Sequence, residues 1–159
     1  MKKSFTLSLL SAGMLFAATA VSAQTLNTEK ANLIVEKVAQ GLEHPWGLAF
    51  LPDGKMLVTE RAAKIRYVNT DGSLSEPLAG LPDIEVAGQG GLLDVILHPD
   101  FANNQQIYFS YNEPSSDGSS TAVATATLGA DKLTDVKVIF SANPKFSSRH
   151  HFGGRLVIK

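Results

Sequence analysis

The sequence predicts an all-β protein assembled from propeller-type blades, and three observations carry that prediction. Thirteen Gly and seven Pro punctuate the chain, and no segment sustains an apolar repeat of helical period. Short β-prone apolar runs alternate with turn chemistry. A unit of strand, Pro-Asp turn, strand, loop and strand also occurs twice. Leu48-Ala49-Phe50-Leu51-Pro52-Asp53 is echoed by Val95-Ile96-Leu97-His98-Pro99-Asp100 about 47 residues later, within the spacing of four-stranded blades. Two blades and the start of a third fall short of the roughly four to eight that close a ring.

Taken in order, Thr25 to Asn32 reads as a polar leader and Leu33 to Val38 as a first strand whose charges suit a sheet edge. Gly41-Leu42-Glu43-His44-Pro45 is a turn, because a residue before proline is held out of the α region. Trp46 to Leu51 is a strand, and Pro52-Asp53-Gly54-Lys55 returns the chain tightly. Met56 to Glu60 and Lys64 to Val68 follow as antiparallel strands, the second alternating polar and apolar. The second unit places strands at Gly91 to Leu97, Gln106 to Tyr111, Thr121 to Leu128 and Val136 to Phe140. A turn at His98 to Asn104 and a polar loop at Pro114 to Ser120 separate them. Leu156-Val157-Ile158 reads as the opening of a third inner strand. The chain stops inside that run, so it is expected to be the N-terminal part of a longer protein, with open strand edges that favour association.

Residues 1–23 read as an export signal. Lys2 and Lys3 form a positive head, Phe5 to Ala20 an apolar centre, and Val21-Ser22-Ala23 a small-x-small cleavage site before Gln24. The apolar run is interrupted by hydroxyl residues and is shorter than the roughly 20 residues a membrane span needs. A periplasmic or secreted protein without a stable membrane span is therefore expected, with residues 24–159 as its propeller part. There is no cysteine, so export is not used here for disulfides. A formal net charge of −1 gives no electrostatic case for nucleic acid or an anionic membrane.

In a propeller the loops leading into the inner strands build the site. Three such loops are visible: His44-Pro45-Trp46, Val86 to Gly91 with Gln89 bracketed by glycines, and Ser147 to Gly154 with His150 and His151. Gly153 and Gly154 suit positive φ or a close backbone approach. Histidine on such a loop suits a general base, since imidazole's reference pKa of about 6.5 lies near working pH. The bland readings are a surface pair or metal ligation for His150-His151, and turn chemistry for His44 and His98, each before a proline. For Trp46 the bland reading is blade packing, for Glu60-Arg61 a local pair, and for the loop glycines around Gln89 a tight turn.

Gln89-Gly90-Gly91-Leu92-Leu93-Asp94, followed by His98-Pro99-Asp100-Phe101, resembles the second-blade signature of the soluble pyrroloquinoline-quinone (PQQ)-dependent glucose and aldose sugar dehydrogenases. His44 to Gly54 with Thr59-Glu60-Arg61 is similar to their first blade, and His151-Phe152-Gly153-Gly154-Arg155-Leu156 to the approach to their third. The resemblance implies a six-bladed propeller that binds PQQ and Ca2+ and oxidises the C1 hydroxyl of aldoses for an external electron acceptor. It places the general base at His151 and a sugar contact at Gln89, whose amide both donates and accepts hydrogen bonds. His150 stands where some relatives carry a carboxylate. The cofactor and calcium ligands, and the carboxylate that orients the base, are expected beyond Lys159. The 159 residues are therefore not expected to be active alone. Two other readings stand beside this one: a calcium-dependent propeller lactonase, and a non-catalytic binding propeller.

Overall fold

A computed structural model describes residues 24–159, so the expected export signal lies outside the described residues. The chain divides into two compact units, the described part of the first being residues 24–37 and the second Val38–Lys159.

In the first unit β1 (Gln24–Asn27) and β2 (Asn32–Val35) form an antiparallel hairpin. The expected polar leader is thus a strand, and the strand expected at Leu33 to Val38 starts one residue earlier and stops at Val35. Thr28 closes the hairpin. Its hydroxyl donates to the Ala31 carbonyl at 2.7 Å, and its Oγ1 accepts the Ala31 N–H at 3.1 Å.

The second unit contains two antiparallel sheets. The first orders β3 (Pro45–Phe50), β4 (Met56–Glu60) and β5 (Lys64–Val68) side by side. These are the three strands the sequence placed here, and β5 is not bare. The Ser75 and Leu78 N–H groups donate to the Tyr67 and Ile65 carbonyls at 2.9 and 2.8 Å, so an irregular segment occupies the fourth position. The second sheet orders β6 (Leu92–Leu97), β7 (Gln106–Ser115), β8 (Gly118–Leu128) and β9 (Leu133–Ser141). A single helical turn, α1 (Phe101–Asn104), lies inside the expected His98 to Asn104 turn.

The polar stretch Pro114 to Ser120 is mostly strand, not loop. The β7–β8 ladder continues to Ser115 opposite Gly118, and the Ser119 N–H also donates to the Phe146 carbonyl at 2.9 Å. Those partners, absent from any local reading, extend the hairpin. Leu156–Ile158 shows the opposite outcome: expected to open a strand, it joins no ladder among the described residues.

The two sheets meet along β3, β4 and β6. Leu57, Ile65, Leu92, Val95, Ile107, Phe109 and Tyr111 are essentially sealed from water and form the core. Burial of this kind contributes about 1.5–3 kcal/mol per large apolar side chain. Several polar residues are sealed among them. Thr59 Oγ1 accepts the Gly47 N–H at 2.8 Å and its hydroxyl donates to the Leu93 carbonyl at 2.5 Å, linking the sheets. A Cβ on Gly47 would lie 2.9 Å from the Val95 nitrogen, so only glycine allows this approach.

Candidate active site

The Gly88–Gly91 loop is held from beneath by Arg61. Its Nη1 donates to the Gly88 carbonyl at 2.8 Å and the Gly90 carbonyl at 3.3 Å, and its own carbonyl accepts the Leu92 N–H at 3.2 Å. Arg61 therefore does not pair with Glu60. The buried Glu60 carboxylate accepts from Arg66 Nε at 2.8 Å and from the Glu43 N–H. Gly91 sits at φ 148°, and a Cβ there would be 2.1 Å from the Arg61 carbonyl oxygen. The glycine fits because the backbone it crosses leaves no room.

Gln89 and His151 are brought together across 62 residues. The Gln89 N–H donates to the Arg149 carbonyl at 2.9 Å, and Gln89 Oε1 accepts the His151 N–H at 3.0 Å. The amide oxygen expected to meet a sugar is thus engaged, and the Gln89 NH2 group is the part left to donate outward. His151 adopts φ 66°, a left-handed conformation uncommon outside glycine. Neither Gly153 nor Gly154, the residues expected to take positive φ, does so. Gly154 is closely approached, with Leu93 Cδ1 2.9 Å from the position of a Cβ, while Gly153 has nothing within 4 Å.

The His151 side chain is exposed and makes no hydrogen bond to the described residues. With His150, Phe152 and Thr121 it lines a cavity of about 340 Å³. The two imidazoles stand 6.3 Å apart, centroid to centroid. A larger cavity, about 480 Å³ between Tyr67, Phe101 and Leu128, shares no residue with this loop. Among the described residues no three His, Cys, Asp or Glu side chains gather as metal ligands.

Beyond His151, Arg155 lays its guanidinium over the Trp46 ring at 4.8 Å and donates to Asp94 Oδ1 at 3.0 Å. Trp46 is accordingly neither plain core nor an open platform. His44 and His98 are turn residues as expected. The His44 carbonyl accepts the Arg61 N–H at 3.1 Å, and His98 Nδ1 accepts the Asp100 N–H at 2.9 Å. His44 takes φ 51°, outside the right-handed α region as expected before a proline. Asp94, Arg61 and Ser110 were missed as site residues. The legible signal for Asp94 was a lone carboxylate inside Leu92-Leu93-Asp94-Val95.

Two antiparallel blades packed through their inner strands, with a histidine loop tied to a glycine loop at their ends, are the architecture of a β-propeller. The chain belongs to the glucose / sorbosone dehydrogenase family, whose model matches residues 42–159. It is 48% identical over 131 residues to the aldose sugar dehydrogenase YliI of Escherichia coli (strain K12), covering 80% of this chain and 35% of that relative. The crystal structure of the soluble aldose sugar dehydrogenase of Escherichia coli in its apo form superposes with a TM-score of 0.70 at 47% identity, covering 74% of this chain and 35% of that one. The PQQ-bound aldose sugar dehydrogenase of Streptomyces coelicolor gives a TM-score of 0.65 at 30% identity, covering 84% and 37%. The chain thus spans about a third of the length of these relatives.

Proposed function

We propose that the full-length protein oxidises the C1 hydroxyl of aldose sugars with PQQ as hydride acceptor, and that His151 is the general base. The observation that carries this reading is the Gln89–His151 bond, which fixes the backbone of the base and leaves its imidazole exposed beside a cavity. As hydride leaves C1, an imidazole nitrogen of His151 takes the O1 proton, and the C1–O1 bond becomes the carbonyl of a lactone. The quinone, when bound, supplies the two-electron acceptor. Gln89 holds the base and turns its NH2 group toward the sugar hydroxyls.

The donor set suits an anionic quinone. Arg155, four residues beyond His151, keeps 69% of its side chain exposed while only Nη1 meets Asp94, so it has further guanidinium donors to offer. Calcium comes into the proposal from the resemblance alone, and no step passes through it. The proposal includes export to the periplasm or beyond and an external electron acceptor. A lactonase would need no hydride acceptor, and a binding propeller would need no base on this loop.

The test is dye reduction by the full-length protein with PQQ, Ca2+ and a panel of aldoses. Turnover that requires both quinone and sugar is the expected result. Lactone hydrolysis without added quinone would sink the proposal.

A further inference from the structure

We propose that Asp94 is a positioning residue for the base: its carboxylate fixes the backbone just beyond His151 and so sets where the imidazole stands. This rests on the reading of His151 given above. Asp94 lies in β6 and is 2% exposed. A carboxylate withdrawn from water is costly unless charge and hydrogen bonds compensate it. Here both oxygens are used. Oδ1 accepts from Arg155 Nη1 at 3.0 Å, and Oδ2 accepts the Leu156 N–H at 2.8 Å. Ser110 adds a third tie, its Oγ accepting the Asp94 N–H at 3.1 Å while its hydroxyl donates to the Gly154 carbonyl.

The blade itself has no need of this carboxylate, because an apolar side chain would fill a buried strand position at least as well. What the carboxylate holds is Arg155 and Leu156, and with Ser110 on Gly154 it ties down a segment that joins no sheet among the described residues. Gln89 holds the same segment at His151. Between these clamps Gly153 has no neighbour within 4 Å of where a Cβ would stand, so no side chain packs on that face of it. Both side-chain clamps come from the second blade and its entry loop, and they flank the proposed base on either side of Gly153. A displacement of about 1 Å at a catalytic group costs on the order of 10²-fold in rate.

Asp94→Asn in the full-length protein tests this, since the amide keeps one acceptor but turns an NH2 group toward a donor. In the cofactor-free protein, hydrogen exchange should quicken by about 10-fold at the amides of both Leu156 and His151. In the PQQ-loaded protein, quinone reduction by glucose in a single turnover should slow by about 10- to 100-fold, with the sugar KM changed less than about 2-fold. In a His151→Gln background the same substitution should cost less than about 3-fold, because the group it positions is gone. Ser110→Ala, which removes no charge, should shift both readouts the same way by a smaller factor, and it serves if Asp94→Asn does not fold. Multiplying losses in the double variant, or faster exchange at Leu156 with none at His151, would overturn the inference. An unimpaired His151→Gln would instead remove the base itself, and the inference with it.

Discussion

Two histidine loops in this chain share a backbone geometry and differ in everything that holds them. His44 and His151 both take left-handed conformations, at φ 51° and 66°. His44 is anchored locally: its carbonyl accepts from Arg61, which lies just past the β3–β4 hairpin the loop opens. Its neighbour Glu43 meets Lys64 in an exposed pair at 2.6 Å. His151 is anchored from afar, by the Gln89 side chain 62 residues earlier. A strained φ alone therefore says little about function. A turn needs only its own hairpin, whereas side chains recruited from a distant loop have no folding purpose that a local bond could not serve, and they mark the place where position matters.

The sharpest way to break this comparison is to remove each imidazole. His151→Gln should lower sugar-driven turnover of the full-length, PQQ-loaded protein by roughly 10²–10⁴-fold, the usual contribution of a positioned base. His44→Gln should change it by less than about 2-fold, a turn residue lying outside the chemistry. Comparable losses from both in single-turnover quinone reduction would erase the distinction.

Gln89 sharpens the same point. Gln89→Glu keeps an acceptor for the His151 N–H but loses the NH2 donors, whereas Gln89→Ala loses both. Steady-state kinetics should show a raised sugar KM in each, with kcat falling by about 10-fold further in Gln89→Ala. Equal kcat values would mean that the clamp is incidental and that Gln89 serves the sugar alone.

Smaller effects follow at the paired glycines. Gly154→Ala meets Leu93 at 2.9 Å and Trp46 at 3.2 Å, so it should cost about 1–3 kcal/mol in denaturant titration. Gly153→Ala, with open space around it, should stay within about 0.5 kcal/mol of the parent. The reverse order would mean that the segment after His151 sits differently.

The smallest expected effect concerns two carboxylates. The Lys145 ammonium first, and the Ser141 hydroxyl second, hold the Glu113 carboxyl below its ordinary value near 4.5; Lys64 does the same for Glu43. A depressed folded pKa gives stability that is present above pH 4.5 and lost as pH falls through the lower folded value. Glu113 and Lys145 are both largely shielded and tie the segment leading to His151 onto β7. Glu113→Gln should therefore cost about 0.5–1 kcal/mol at neutral pH and flatten the acid limb of a stability–pH curve. Glu43→Gln, whose pair with Lys64 is more exposed and screened by solvent, should shift both less than Glu113→Gln.

Much of the fold was legible because blade strands obey local rules. Met56–Glu60 falls where the turn before it put it and Lys64–Val68 where alternation did, and the Pro52-Asp53 and Pro99-Asp100 turns separate their strands as read. What stayed hidden depended on distant partners. Gly118 to Ser120 reads as loop until Phe146 comes alongside, and Leu156–Ile158 reads as strand although no ladder receives it. In the site, His151 and Gln89 were legible through a motif, but their bond was not, since it joins a side chain to a backbone amide. Asp94 passed for one polar residue in an apolar run because nothing local reveals that both its oxygens serve a segment 61 and 62 residues later.

Those long separations also order events in time. Closing a loop of about 60 residues carries an entropic cost that local hairpins avoid, so contacts of this kind form late unless strong burial rewards them. The ties from Gln89 and Asp94 to the segment around His151 are polar contacts across about 60 residues, while the β7–β8 hairpin zips from neighbours. The blade would then be complete before the His151 loop arrives on it. Substitutions at Gln89 or Asp94 should accordingly leave the folding rate nearly untouched and act almost wholly on unfolding, with φ-values near zero. Docking of the His151 loop would then follow completion of the β7–β8 hairpin.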